Sequence, residues 1–387
     1  MKMLASGASR QLHGYYPQQI DLSTTQPSSI KKLPADLQSP MFGLMPFRLA
    51  SGVREVTVVL DKRAGKLPGL YVDANGNGDL TDDPQIQWRA TSSTVYMSEA
   101  LLAIGDEKHL SSVSVSFYHF HDDPNTKQYE NSIAYYRDYA SIGQITLAGK
   151  TFKAALDDAF CTGDFRGKSD PTKDSGVWLM IDTNDSGKFS RQPGKQFDVK
   201  RPFNIRGVTY ELHDLTPDGQ FSVERSTQQV AEIAPPPNLE VGHTAPAFTA
   251  QTIDGKTVRF PDDYKGHIVM LDFWATWCGP CMGEVPGLAA AYEKYHPRGF
   301  DVLGISLDNP HSTDKINSVL KGNKMLWPEV YDGNGWKAAV AQQYGIQSIP
   351  SPILVDGDTG KILATESGLR GDALDPTLEK ALSARSK

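Results

Sequence analysis

Three consecutive prolines, Pro235 to Pro237, interrupt the 387-residue chain well past its midpoint. Proline fixes its own φ and lacks a backbone N–H, so such a run favours an extended spacer over a helix or a sheet. The chain is longer than one ordinary domain, and the residue patterns before and after the prolines differ. We therefore predict a linker over residues 232–240, between a β-rich region and a C-terminal domain over 241–387.

The region before the prolines has the pattern of β-strands. Short runs such as VREVTVVLD and SSVSVSFYHF are β-branched or alternating, and they end at Gly, Asp or Asn. Two segments, GLYVDANGNGDLTDDPQIQW and WLMIDTNDSGKFSRQPGKQF, resemble each other, and their leading residues Asp73 and Asp182 are 109 positions apart. The similarity predicts an internal duplication, with β-rich modules over residues 1–130 and 131–231.

The region after the prolines alternates between strand and helix patterns. HIVMLDFW is a continuous apolar run, as expected of a central strand buried on both faces. A helix is predicted from Gly279 to about Tyr295, and further strands and helices follow it. A small hairpin with Asp254 and Gly255 at its tip is predicted before the central strand. This order predicts an α/β sheet with covered faces.

Cys278 and Cys281 stand directly after the predicted central strand, with Gly279 and Pro280 between them. A structural zinc site needs four ligands, and the sequence offers no second cysteine pair or paired histidines. A disulfide that closes so short a loop would stabilise the fold little. A redox couple fits better, because a sulfur at a helix N-terminus is stabilised as a thiolate. A second sulfur one turn further in could then attack a mixed disulfide at the first.

Composition excludes several other classes of protein. The chain has only three cysteines, so it is not a disulfide-stapled scaffold, and the lone Cys161 is interpreted as a buried small side chain. A net charge of -7 argues against nucleic acid as a main partner. No apolar run is long enough to predict a transmembrane segment. The first residues show no apolar signal segment, so the protein is cytoplasmic or its signal lies outside this chain.

The segment DFWATWCGPC, with Pro286 eight residues after Cys278 and SIPSP near the C-terminus, resembles the thioredoxin superfamily. The longer stretch from VGHTAPAF to CMGEVPGL is similar to its extracytoplasmic TlpA/ResA-like branch of thiol–disulfide oxidoreductases. The resemblance covers about residues 240–385. It implies a thioredoxin fold, a periplasmic location, protein disulfide or dithiol substrates, and an unidentified electron donor. No cofactor besides the dithiol is implied.

The resemblance also implies roles for particular residues. Cys278 would attack the substrate, Cys281 would resolve the mixed disulfide, and a cis peptide between Ile349 and Pro350 would lie against the pair and help to hold substrate. Asp272 matches the buried acid of thioredoxins, which exchanges a proton with the inner thiol.

Three further features of the motif have implied or alternative roles. Glu284 matches a glutamate that tunes the cysteine pKa values in the ResA-like branch; the alternative is a solvated carboxylate on the helix surface. For Asp272 the alternative is a polar residue at a strand end whose hydrogen bonds are satisfied. Trp277 and Trp274 are expected to pack the site. The Gly279-Pro280 insert matches that of reducing thioredoxins, whose potential is roughly −270 mV, and favours reduction of substrates.

A thiol peroxidase of the peroxiredoxin kind is the nearest enzymatic alternative, because it shares the fold and the APAF opening. Its reactive cysteine follows a Pro-x-x-x-Thr-x-x pattern. Here Thr276 is only two residues before Cys278, and no proline stands at the required place.

The loop DANGNGDLTDD, residues 73–83, resembles the start of an EF-hand calcium loop, with oxygen-bearing residues at alternating positions and a glycine sixth. The candidate ligands are Asp73, Asn75, Asn77 and Asp79. Pro84 stands where a bidentate acid is required, and a plain tight turn is the alternative. The related loop at Asp182 is a weaker candidate because Lys188 adds positive charge. A calcium-dependent binding or scaffold protein with a passive thioredoxin domain is therefore the alternative function.

Overall fold

The computed structural model describes residues 1–63, 66–90, 95–106, 108–120, 129–168 and 173–385. The chain divides into two compact units, Met1–Ala234 and Pro235–Lys387. The division falls at the proline run, where a chain without backbone donors cannot join a sheet.

The first unit is built almost entirely of antiparallel strands, as the sequence predicts. Its elements are β1 (Lys2–Leu4), α1 (Ala8–Gln11), β2 (Gln18–Asp21), β3 (Pro40–Pro46), β4 (Glu55–Asp61), β5 (Gly69–Val72), β6 (Arg89–Ala90), β7 (Val95–Gly105), β8 (Leu110–Phe120), β9 (Ser132–Arg137), β10 (Ala140–Leu147), β11 (Lys150–Asp158), β12 (Val177–Ile181), β13 (Gln196–Asp198), β14 (Phe203–Ile205), β15 (Val208–His213) and β16 (Ser222–Arg225).

Strands from both halves of this unit share its two five-stranded sheets. One five-stranded sheet has the order β1-β10-β11-β12-β13 and the other β2-β9-β8-β7-β6. The first strand of each order precedes residue 130 and pairs with a strand that follows it. The internal duplication stays a prediction. The expectation for Cys161 is confirmed, since it is free and fully buried in the core of this unit.

The second unit has a mixed five-stranded sheet flanked by helices. Its elements are β17 (Phe248–Gln251), β18 (Thr257–Phe260), β19 (Ile268–Trp274), α2 (Gly279–Tyr295), β20 (Phe300–Ser306), α3 (Thr313–Gly322), β21 (Glu329–Val330), α4 (Ala339–Tyr344), β22 (Ser351–Asp356), β23 (Ile362–Thr365) and α5 (Leu374–Arg385). The strand order is β21-β20-β19-β22-β23, with β20 parallel and β22 antiparallel to β19. This is the thioredoxin fold that the resemblance implies.

The central strand β19 explains where the site lies. All seven of its residues are buried, because the sheet is covered on both faces. A parallel neighbour can be reached only through a crossover connection, and α2 supplies it between β19 and β20. The helix α2 therefore begins at the carboxyl end of the central strand and has the predicted bounds. Within the described ranges, no helix is long and apolar enough to cross a membrane.

Candidate active site

The two cysteines lie at the start of α2 and are bonded to each other. Cys278 is the N-cap residue, and its sulfur accepts a hydrogen bond from the N–H of Cys281 at 3.2 Å. Gly279 and Pro280 form the start of the first turn, where a proline sacrifices no helical hydrogen bond. The Sγ–Sγ distance is 2.05 Å, so the structure shows the oxidised pair. The position at a helix N-terminus is the one that stabilises a thiolate after reduction.

The loop between β19 and α2 is anchored by a buried acid that the sequence motif does not contain. Asp308, just beyond β20, accepts hydrogen bonds from the backbone N–H of Thr276 at 2.9 Å and from the hydroxyl of Ser306 at 2.9 Å. Parallel strands place their carboxyl ends at the same edge of a sheet, which explains how Asp308 reaches this loop. Thr276 stands two residues before Cys278, so the contact fixes the backbone that leads to the attacking sulfur.

A cavity of 140 Å³ brings the predicted site residues together. Its lining includes Cys281, Asp272, Glu284 and Pro350. The peptide between Ile349 and Pro350 is cis, as expected. Residues from a strand, a helix and a loop thus converge on the inner sulfur.

Asp272 is the buried acid of this cavity. Burial raises the pKa of Asp272 to about 7, and the negative charge of Glu284 adds to the effect. Near neutral pH this carboxyl can therefore either hold a proton or accept one. Such a group beside Cys281 suits the gain and loss of a thiol proton.

Glu284 forms an ion pair with Arg370, a residue that the sequence motif does not identify. Its carboxylate accepts a hydrogen bond from Nε of Arg370, and both side chains are partly exposed. Arg370 also lines the cavity, although it lies 86 residues from Glu284 in the chain. The signal that could have identified it is weak, because a single arginine far from the motif has no characteristic spacing.

The two tryptophans of the motif have different environments. Trp274 is buried, as a packing role predicts. Trp277 is 46% exposed, and its ring lies 6.0 Å from the ring of Trp336. Slightly more than half of Trp277 is therefore covered, and its exposed part forms an aromatic surface beside the disulfide. Cys278 and Cys281 are 5% and 3% exposed, so their exposure does not show which sulfur attacks substrate. Their positions on the helix distinguish the two sulfurs, because Cys278 is the N-cap.

Comparison with known proteins assigns this site to a family. A ResA thiol–disulfide oxidoreductase from Bacillus thuringiensis is 31% identical to this chain over 144 residues, which cover 37% of this chain and 78% of that protein. The chain belongs to the ResA-like thiol–disulfide oxidoreductases of the thioredoxin superfamily. A second ResA relative, from Bacillus subtilis, is 26% identical over 137 residues and covers 35% of this chain and 73% of that protein.

The ResA-like assignment concerns the second unit of the chain. The AhpC/TSA family model matches residues 241–364, which include both cysteines of the pair and Pro350. The thioredoxin domain of a thiol-disulfide oxidoreductase from Bacteroides vulgatus is 35% identical, covers 37% of this chain and 99% of that domain, and has a TM-score of 0.33. The first unit, Met1–Ala234, lies outside the family model.

The first Asp/Asn loop of this ResA-like chain follows β5. Asp73 is buried, and its two carboxylate oxygens accept hydrogen bonds from the backbone N–H groups of Asn77 and Gly78 at 3.1 and 3.0 Å. Asp83 accepts a hydrogen bond from the N–H of Ala74 at 3.2 Å. Burial, followed by the charges of neighbouring aspartates, raises the pKa of Asp83 to about 6.

The other candidate ligands of this loop form hydrogen bonds within the loop or an ion pair with a nearby lysine. The side-chain carbonyls of Asn75 and Asn77 accept the backbone N–H groups of Asn77 and Asp79. Asp79 also lies 3.4 Å from the ammonium of Lys32. In the part of the chain that the structure describes, no three side chains of His, Cys, Asp or Glu are grouped to hold a metal ion. Calcium binding at residues 73–83 stays a prediction.

The second Asp/Asn loop is filled by a lysine that the sequence reasoning missed. The buried ammonium of Lys195 donates to Asp182 Oδ1 at 3.1 Å, Asn184 Oδ1 at 2.7 Å, Ser186 Oγ at 2.8 Å and the carbonyl of Lys188 at 2.9 Å. These are positions 1, 3, 5 and 7 of the loop, the ones that would ligate calcium in an EF-hand. The lysine charge therefore occupies the place of a bound cation.

In both loops the first aspartate accepts two backbone N–H groups, but only the second loop contains the lysine. Asp182 accepts from the N–H groups of Ser186 and Gly187 at 3.0 and 2.7 Å, as Asp73 does from the equivalent residues of the first loop. The residue 109 positions before Lys195 is Ile86, which has no charge to supply.

Proposed function

We propose that this ResA-like chain reduces disulfides in protein substrates, with Cys278 as the attacking sulfur and Cys281 as the resolving sulfur. The observation that carries the proposal is the bonded pair at the start of α2, with the inner sulfur and Asp272 lining one cavity. A helix N-terminus stabilises the outer thiolate, and a carboxyl with a pKa near neutrality serves the inner thiol.

The exchange proceeds in two steps. The thiolate of Cys278 attacks a substrate disulfide, forms a mixed disulfide and releases one substrate thiolate. The thiol of Cys281 then gives its proton to Asp272, and the resulting thiolate attacks Sγ of Cys278 and releases the second substrate thiolate. Two electrons pass to the substrate, and the protein is left with the disulfide that the structure shows. A reducing thiol partner must restore the dithiol before another turnover.

The direction and the place of the reaction are part of the proposal. The Gly279-Pro280 insert supports reduction, since it matches that of reducing thioredoxins. The resemblance to the TlpA/ResA-like branch supports an extracytoplasmic location. The exposed rings of Trp277 and Trp336 beside the disulfide offer an aromatic surface to an extended substrate segment.

Insulin reduction by the full chain with a thiol donor tests this proposal. We expect activity from the wild type and from Cys161→Ala, whose substitution lies in the other unit, and loss of activity in Cys278→Ser. Cys281→Ser should accumulate a mixed disulfide at Cys278, visible by mass spectrometry, because no resolving thiol remains. Activity in Cys278→Ser equal to the wild type would contradict the assignment. Consumption of hydrogen peroxide instead of insulin disulfides would favour the peroxidase alternative.

We also propose a calcium site at residues 73–83 of the first unit. The shared hydrogen bonds of the two Asp/Asn loops support it, because in the second loop the equivalent oxygens surround the ammonium of Lys195. Ile86 stands in place of that lysine, so the first loop has no built-in charge at this position. The oxygen-rich composition of the loop suits a hard cation such as calcium.

A further inference from the structure

The first unit contains a cavity of 890 Å³ that the disulfide chemistry of the second unit does not use. Its lining carries five cationic side chains and one acidic side chain. The cations are Arg48, Arg54, Arg166, Lys168 and Lys200, and the acid is Asp164. The whole chain, by contrast, has a net charge of -7. Positive charge is therefore concentrated in one concave part of an acidic protein, where the protein walls focus its field.

Two of the arginines are held in place by Asp164. Nε and Nη2 of Arg166 donate to the two carboxylate oxygens of Asp164 at 2.8 and 2.6 Å. Nε of Arg48 lies 3.7 Å from the same carboxylate. Burial would raise the pKa of Asp164, but the hydrogen bonds from Arg166 and the charges of both arginines hold it below its ordinary value. The cavity wall thus already binds one carboxylate, in the forked geometry that guanidinium groups give to this anion.

The backbone behind these arginines is fixed by Asp158, a buried acid at the end of β11. Its Oδ2 accepts hydrogen bonds from the N–H groups of Thr162 and Gly163 at 2.7 and 2.8 Å and from the hydroxyl of Tyr139 at 2.6 Å. The carbonyl of Thr162 accepts the N–H of Arg48 at 2.7 Å. Gly163 has a φ of 70°, and a Cβ atom there would lie 2.6 Å from the carbonyl oxygen of Arg48. This wall of the cavity is therefore preformed, which lowers the entropy cost of binding.

The other three cations are available to a ligand. Arg54, Lys168 and Lys200 are exposed, and among the described residues their side chains have no hydrogen-bond or ion-pair partner. Asp198, the acid that precedes Lys200 by two positions, is occupied by the backbone N–H groups of Ser175 and Lys200 at 2.8 Å each. An anion in the cavity would therefore meet cations whose charge no described side chain already neutralises.

The same cavity also has an apolar part, which includes Pro46 and the ring of Phe160. Phe160 is 38% exposed, so its ring offers free apolar surface. The volume lies toward the upper end of the range for ligand pockets, about 300–1,000 Å³, and exceeds what one small anion would fill. A peptide can bring carboxylates and apolar side chains together, whereas a compact inorganic anion would leave the apolar part in water.

We propose that this cavity binds an acidic segment of a partner protein. Charge complementarity carries the proposal, with carboxylates of the segment at Arg54, Lys168 and Lys200. Apolar side chains of the segment cover Pro46 and Phe160. The binding is non-covalent and does not depend on the proposed function, because every residue that lines the cavity belongs to the first unit.

Fluorescence anisotropy with the full chain tests the proposal. The probe is a labelled peptide of alternating Glu and Tyr, and its partner probe has Gln in place of every Glu. We expect saturable binding of the Glu peptide and binding of the Gln peptide that is weaker by about tenfold or more, because hydrogen bonds between charged groups are the strong ones. Equal affinities for the two peptides would overturn the proposal, and this comparison needs no variant of the protein.

Charge reversal at the cavity locates the binding. Lys200→Glu and Arg54→Glu should each weaken binding of the Glu peptide about tenfold, because each places a like charge against it. Lys153→Glu is the matched control, since Lys153 is exposed on β11, lies outside the cavity lining and changes the net charge by the same amount. It should bind the peptide as the wild type does. A loss in Lys153→Glu as large as that in Lys200→Glu would show diffuse attraction to the surface and would contradict a site in the cavity.

Competition separates a peptide from a phosphate-bearing ligand. The competitor is a single-stranded oligonucleotide with the same number of charges as the Glu peptide. We expect unlabelled Glu peptide to displace the probe at lower concentrations than the oligonucleotide does, because only the peptide also covers the apolar part of the cavity. The reverse order would overturn the proposal in favour of a nucleic acid. Cys278→Ser should bind the peptide as the wild type does, so failure to bind it and failure to reduce insulin are separate outcomes.

Discussion

Asp272 couples the chemistry of the site to the stability of the fold. Burial raises the pKa of Asp272 to about 7, whereas an aspartate in an unfolded chain has a pKa of about 3.9. Between these values the folded chain keeps a proton that the unfolded chain has lost. The free energy of unfolding therefore falls as the pH rises through this window. Above pH 7 the full loss of stability from ionising the buried carboxyl is present.

We expect Asp272→Asn, which cannot ionise, to gain stability relative to the wild type across the same window. The gain should be small near pH 4 and should reach no more than about 4 kcal/mol above pH 7. Urea unfolding of the oxidised proteins at pH 4, 6 and 8 measures the difference. A difference that does not change with pH would show that Asp272 does not titrate as described.

Single residues also show how far the sequence can predict the site. Cys278, Cys281 and Asp272 lie within one short segment, so a strand, a turn and a helix are enough to bring them together. Arg370 reaches the same cavity from a distant part of the chain, and Asp308 reaches the loop before Cys278 from the end of β20. Their positions depend on tertiary packing, which no local pattern in the sequence records.

At the scale of elements, the predictions are most accurate where one interaction dominates. The apolar run of β19 and the bounds of α2 are confirmed, because burial on both faces and a cysteine N-cap leave few alternatives. The second Asp/Asn loop is different. Its oxygen ligands are visible in the sequence, but the cation they bind is Lys195, whose approach depends on how the returning segment folds.

The first Asp/Asn loop yields a prediction at this scale. Calorimetric titration of the full chain with calcium should show one binding site, and Asp79→Asn should weaken binding because it removes a negative charge beside the ligating oxygens. Asp185→Asn is the matched control, since Asp185 lies in the lysine-filled loop and pairs with Lys150. No heat of binding in the wild type, or equal binding in Asp79→Asn, would contradict a calcium site at residues 73–83.

At the scale of the whole molecule, the chain combines two units with separate hydrophobic cores. The proline run and the change of pattern predict where one region ends and the other begins. The fold of the second unit could be predicted because its active-site motif is specific to one family. The sheets of the first unit could not, because antiparallel strands pair across more than a hundred residues and periodicity does not determine which strands become neighbours.

The proposed function requires that Cys278 and Cys281 form a reducing dithiol. Equilibration of the full chain with thiol–disulfide buffers, followed by quantification of the reduced fraction, gives the reduction potential of the pair. We expect a reversible two-electron transition at about −270 mV, in the range of reducing thioredoxins. A potential of about −120 mV, typical of a strong oxidant, or a pair that does not equilibrate at all, would contradict the proposed function.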